Sequence, residues 1–96
     1  RPSHHFSFEG FLPVKNGARR KKLEMLGQKD ETVIFYESPH RILKTLKDIE
    51  EVLDDPTIVV TREITKKFEE VIEDKASVII ERFTLKKPKG EFVVVL

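Results

Sequence analysis

Four short stretches of this chain hold the residues whose types and spacing could do chemistry. The first is Lys15-Asn16-Gly17-Ala18-Arg19-Arg20-Lys21-Lys22, five bases in eight residues. Bases at the start of a helix oppose its dipole, so this density points to an anionic partner; a solvated helix face is the plain alternative. The second is Tyr36-Glu37-Ser38-Pro39-His40-Arg41, donors and acceptors at the end of an apolar run that turns into a helix. Polar groups at the carboxyl end of a strand line the crevice of open sheets. The third, Arg62-Glu63-Ile64-Thr65-Lys66-Lys67-Phe68-Glu69-Glu70, also follows a strand, and its charges could equally pair among themselves. The fourth is the turn Lys89-Gly90-Glu91. Glu37, His40 and Glu63 are titratable members of these stretches, and spacing assigns none of them as a base.

Several chemistries are excluded. With no cysteine there are no disulfides, thiolate nucleophiles or cysteine-based metal sites. The glycines stand apart at positions 10, 17, 27 and 90, so there is no dinucleotide or nucleoside-triphosphate loop. His4-His5 reads as a frayed end rather than a metal site, and no metal is expected. No apolar run approaches the ~20 residues of a membrane span, and the polar start is not a signal peptide. A cytoplasmic protein with no membrane contact is therefore expected.

The elements that must position these stretches follow from apolar periodicity. A length of 96 residues with 39% hydrophobic and 36% charged residues gives one folded domain. Phe6 to Leu12 alternates as a strand that Gly10 interrupts, as a bulge or close approach, before Pro13. Asn16 is placed to cap a helix that stops at Gly27. Thr32–Tyr36 is a buried strand whose aromatics belong to the core. Ser38 then caps a helix from Pro39 to about Leu53, built on Ile42, Leu43, Leu46, Ile49, Val52 and Leu53. Thr57–Thr61 and Phe92–Leu96 are strands; between them Phe68, Val71 and Ile72 suit a helix or a strand, and Ala76, Ile79, Ile80 and Phe83 have helical spacing although Val78-Ile79-Ile80 is β-branched, which is read as a strand at about Glu69–Glu73 and a helix at about Ala76–Phe83. This alternation predicts an α/β (α+β) domain, a mixed sheet of about five strands covered by about three helices. The chain starts without methionine and stops within an apolar strand, so both ends read as cuts. Charge is asymmetric: Arg1–Lys22 has six bases and one acid, Leu23–Asp55 nine acids and four bases.

In this order the motifs Phe8-Glu9-Gly10-Phe11-Leu12-Pro13, Gly17-Ala18-Arg19-Arg20-Lys21, Phe35-Tyr36-Glu37-Ser38-Pro39-His40-Arg41, Arg62 to Glu70 and Pro88-Lys89-Gly90-Glu91-Phe92-Val93 cover nearly the whole chain. Together they resemble the tetrapyrrole (corrin/porphyrin) methylase superfamily, in its ribosomal-RNA-methylating branch. The resemblance implies an S-adenosylmethionine-dependent methyltransferase of two α/β domains, usually a homodimer, with the donor in the cleft between them. Residues 1–96 would be its C-terminal domain, without the N-terminal domain and inactive alone. The implied reaction is 2′-O-methylation of a cytidine ribose in small-subunit ribosomal RNA. Tyr36, Glu37, Ser38, Pro39, His40, Arg41, Arg62, Glu63, Lys66, Lys67, Glu69, Lys89, Gly90 and Glu91 would then line the cleft. Lys15, Arg19, Arg20, Lys21 and Lys22 would meet the RNA or ribosomal subunit. A corrin or porphyrin methyltransferase is the alternative within the superfamily. A non-catalytic RNA-binding module is the alternative of another class, and a glycine-rich domain directly upstream would separate it from both.

Overall fold

A computed structural model describes residues 5–65 and 68–96. Its elements are β1 (Phe6–Phe11), α1 (Asn16–Gly27), β2 (Thr32–Glu37), α2 (Ile42–Val52), β3 (Thr57–Thr65), β4 (Phe68–Lys75), α3 (Ala76–Leu85) and β5 (Glu91–Val95). The strands form one mixed sheet in the order β1-β2-β5-β3-β4. β1 and β2 are parallel, while β5 is antiparallel to both β2 and β3, and β4 is antiparallel to β3. So β1, β2 and β3 run one way and β4 and β5 the other, as expected for a mixed α/β sheet.

That topology puts all the helices on one side. Crossovers between parallel strands are right-handed. α1 and α2 connect strands that progress across the sheet in one direction. α3 connects β4 to β5, which run the opposite way, and also steps back in the opposite direction. The two reversals cancel, so α3 joins α1 and α2 in one layer, in which α2 touches both others.

The core lies between this layer and the sheet. Val33, Phe35, Ile58, Val60, Ile72, Phe92 and Val94 point toward the helices and meet Leu23, Leu26, Ile42, Leu46, Ile49, Ala76, Ile79 and Phe83. Among the described residues nothing covers the other sheet face. Phe6 is 71% exposed and Phe8 60%, and Phe11, Tyr36 and Val71 are exposed as well. Tyr36 is therefore not the core residue expected from its apolar run; alternation sends Phe35 inward and Tyr36 outward. Gly10, at φ 66°, marks a register shift between Phe8 and Phe11. The bulge brings both rings against Tyr36, at centroid distances of 5.1 and 5.6 Å. Residues three apart on a regular strand would face opposite ways.

Helix starts depart from expectation. α1 begins after Lys15, without a side-chain cap, and Asn16 instead donates to Asp48 at 3.2 Å. Ser38 does not cap α2: residues 38–41 form a turn in which Arg41 N and Ile42 N both donate to Ser38 O. α2 then starts at Ile42. α3 is capped from outside, because Ser77 N and Ser77 Oγ donate to the Asp55 carboxylate at 2.8 and 2.6 Å. Asp54 and Asp55 both hold positive φ to make that turn.

The two Ser77 hydrogen bonds, side-chain first, lower the Asp55 pKa below its ordinary 3.8. A depressed carboxyl pKa stabilises the fold above the unfolded value and loses that effect as pH falls through the folded one. Asp55→Asn is expected to melt at lower temperature than wild type at neutral pH. The gap should close as pH drops below 3.8 in thermal melts followed by circular dichroism.

Candidate functional site

Two concavities sit at the end of the sheet where β1, β2 and β3 finish, the end at which open α/β sheets bind ligands. They lie on opposite sides of β2.

On the bare face, a cavity of about 290 Å³ is lined by Phe11, Tyr36, Thr61, Glu63, Glu69, Glu91, Phe92 and Val93. Strand pairing builds it: Tyr36 is opposite Val93 on β5, Thr61 is also opposite Val93, and Glu63 is opposite both Glu91 and Glu69. Glu63, Glu69 and Glu91 are exposed, so the aromatic floor carries an acidic rim. Such a site suits a cation or an aromatic group with positive character. Gly90 makes the rim possible. It holds φ 91°, and a Cβ there would come 2.2 Å from the Glu63 carbonyl oxygen. Gly90→Ala is expected to cost roughly 1–3 kcal/mol, read as a lower urea midpoint, because neither the dihedral nor the backbone contact can relax cheaply.

On the helix side, a cavity of about 580 Å³ is lined by Val14, Asn16, Arg19, His40, Arg41 and Lys44. Beneath it lies a buried ionic cluster. Arg19 is 2% exposed and donates from Nε to Asp48 at 2.7 Å and from Nη1 to the Val14 carbonyl at 2.9 Å. Arg20 donates to the other Asp48 oxygen at 2.9 Å. Asp48 thus clamps α1 onto α2.

The expected site residues divide accordingly. Tyr36, Glu63, Glu69 and Glu91 come together in the acidic pocket, with Gly90 beneath them and Lys89 exposed beside it. His40 and Arg41 line the basic cavity instead. Glu37 is buried on the helix side and accepts from Ser38 N at 2.8 Å, Arg41 Nε at 3.1 Å and Thr45 Oγ1 at 2.7 Å. It braces the turn and lines neither cavity. Ser38 and Pro39 are half-buried in that turn. Arg62 pairs with Glu70 at 2.9 Å and does not line the acidic pocket. Lys66 and Lys67 lie outside the described residues.

The basic stretch also divides. Arg19 is buried in the Asp48 clamp at the floor of the basic cavity. Arg20 is tied to Asp48 and, at 3.5 Å, Glu51; Lys22 is tied to Glu9 at 3.2 Å. Lys15 and Lys21 are exposed. Sequence reasoning missed Phe11, Thr61, Phe92 and Val93 in one cavity and Val14, Asn16 and Lys44 in the other. The bulge at Gly10 and the three-residue step from Arg41 to Lys44 were their signals. Among the described residues no cluster of acids and histidines could hold a metal, and no helix is long and apolar enough to cross a membrane.

The amino-acid sequence has recognisable relatives. The model for Tetrapyrrole (Corrin/Porphyrin) Methylases matches residues 2–79, and the chain belongs to that family. Over 95 residues it is 43% identical to Ribosomal RNA small subunit methyltransferase I of Thermotoga maritima, covering 99% of this chain and 42% of that protein. The enzymes of the same name from Bacillus subtilis and Haemophilus influenzae are 44% and 45% identical, over 95% and 98% of this chain. They are covered over 31% and 34% of their lengths. The chain thus spans about a third to two-fifths of these relatives.

Proposed function

We propose that residues 1–96 are the C-terminal lobe of an S-adenosylmethionine-dependent methyltransferase that 2′-O-methylates a cytidine ribose of small-subunit ribosomal RNA. The carrying observation is the bare aromatic sheet face, which ends in an acid-rimmed pocket of about 290 Å³. Ligand pockets usually span ~300–1,000 Å³ and bury most of the ligand, so this concavity offers one wall of a site. The N-terminal domain of the same polypeptide supplies the other wall, which accords with the fraction of its relatives' length that the chain spans.

The donor carries a sulfonium cation and supplies an electrophilic methyl group. Tyr36 and Phe11 offer aromatic faces to that cation, and Glu63, Glu69 and Glu91 offer negative charge. These residues bind and orient; the lobe's contribution to rate is alignment of the reacting atoms.

Ribosomal RNA is favoured over a corrin or porphyrin by the relatives' names and by the separate basic cavity. A stand-alone RNA-binding module would use the exposed aromatics as a stacking platform. The three glutamates around Tyr36 repel phosphate from that face and count against it.

The test is product identity. The full-length polypeptide, given a tritiated methyl donor and unmethylated small ribosomal subunits, is expected to label a cytidine at the ribose 2′ oxygen. Label on a base would overturn the ribose assignment, and label only on an added corrin or porphyrin would overturn the RNA assignment.

A further inference from the structure

The basic cavity between the start of α1 and the β2–α2 turn has more positive charge than its own fold uses. All its charged lining residues are cations or a histidine: Arg19, His40, Arg41 and Lys44. The acids nearby are engaged from below. Asp48 accepts from Asn16, Arg19 and Arg20, and Glu37 accepts from Ser38 N, Arg41 Nε and Thr45. Among the described residues, Lys44 and His40 have no ion-pair partner, and Arg41 uses only its Nε.

Charge placement sharpens the point. The cavity gathers residues from the starts of two helices, α1 and α2. Neither helix has an acid in its first turn or a side-chain cap. Cations at a helix start oppose the helix dipole. An anion in the cavity would reverse that sign for both helices and for Lys44 together.

We infer that this cavity binds a backbone phosphodiester of the RNA strand. Lys44, His40 and the outer nitrogens of Arg41 are the contacts, and Arg19, held by Asp48, is a positioning residue. The inference rests on the RNA-methyltransferase reading and deepens it. Tyr36 lines the acid-rimmed pocket, and the next residue, Glu37, faces the other side of β2 and accepts from Arg41 of the basic cavity, so the two concavities flank the same strand end. A linear polynucleotide can hold a phosphate on one side of that strand end and present a ribose on the other.

The experiment measures anisotropy of a labelled small-subunit ribosomal RNA oligonucleotide with the full-length polypeptide, across a series of KCl concentrations. Each single-strand phosphate contact contributes about 0.7 to the slope of log K against log salt. Lys44→Ala is expected to reduce the slope by about that amount, and Lys44→Ala with His40→Ala to weaken binding further. Lys75→Ala removes the same charge at the opposite end of the sheet and should leave the slope unchanged. A slope equal to wild type in Lys44→Ala, or an equal loss in Lys75→Ala, overturns this site while leaving the methyltransferase reading intact. Failure of the wild-type protein to bind the RNA overturns both. Lys44 is exposed, so its substitution spares the core, and a thermal melt verifies the fold.

Discussion

Asp48→Ala is expected to lower the unfolding free energy by about 3–5 kcal/mol, because it strands a buried guanidinium. Asp48 is the carboxylate that Arg19 meets at 2.7 Å with both side chains nearly inaccessible, and it also accepts from Arg20 and Asn16. Removing the acid leaves a buried cation with the Val14 carbonyl and little else. Against the roughly 5–15 kcal/mol that stabilises a typical domain, this is a large fraction. Replacing both partners by apolar residues should cost much less, since a buried pair repays its desolvation only partly. Urea denaturation of Asp48→Ala and of Asp48→Leu/Arg19→Met distinguishes the two. Equal losses in both would mean that the clamp acts through packing rather than charge.

Tyr36→Ala should do the reverse, sparing the fold and impairing the reaction. Tyr36 is 42% exposed and touches Phe8 and Phe11 on the bare face. Aromatic pairs contribute about 0.5–1.5 kcal/mol each beyond area burial, so stability should fall only modestly. In the full-length polypeptide, loss of the pocket floor is expected to lower kcat/KM for methyl transfer on the order of 10²-fold, the scale on which misalignment of about 1 Å acts. The measurement is initial rate at varied donor concentration, and a loss under threefold would remove Tyr36 from the cleft.

The contrast between Asp48 and Tyr36 also shows how much the sequence made legible. The elements up to Thr61 and the last strand follow from periodicity, because Ile42, Leu46 and Ile49, or the run around Phe35, have one way to be buried, whereas the stretch that holds β4 and α3 suits a helix or a strand until the sheet pairs β4 with β3. The longer β3 was harder to see. Arg62 and Glu63 break the apolar run, yet the strand continues because Arg62 is opposite Glu70 and pairs with it.

Site residues were found as stretches and then split by geometry. A strand sends neighbours to opposite faces. Tyr36 and Glu63 therefore reach the pocket, whereas Glu37 and Arg62 serve the helix side. The same holds for the basic stretch: one turn of α1 buries Arg19 and leaves Lys21 in solvent. Asp48 was legible in principle, as an acid beside Ile49 on an otherwise apolar stripe, but its partner Arg19, 29 residues upstream, was not.

If residues 1–96 are one wall of a methyl-transfer cleft, the purified 96-residue chain cannot turn over alone. Assayed with a tritiated methyl donor and small ribosomal subunits, beside the full-length polypeptide, it is expected to give no label above background while the full-length protein labels the subunits. Sustained methyl transfer by the 96-residue chain would contradict that reading.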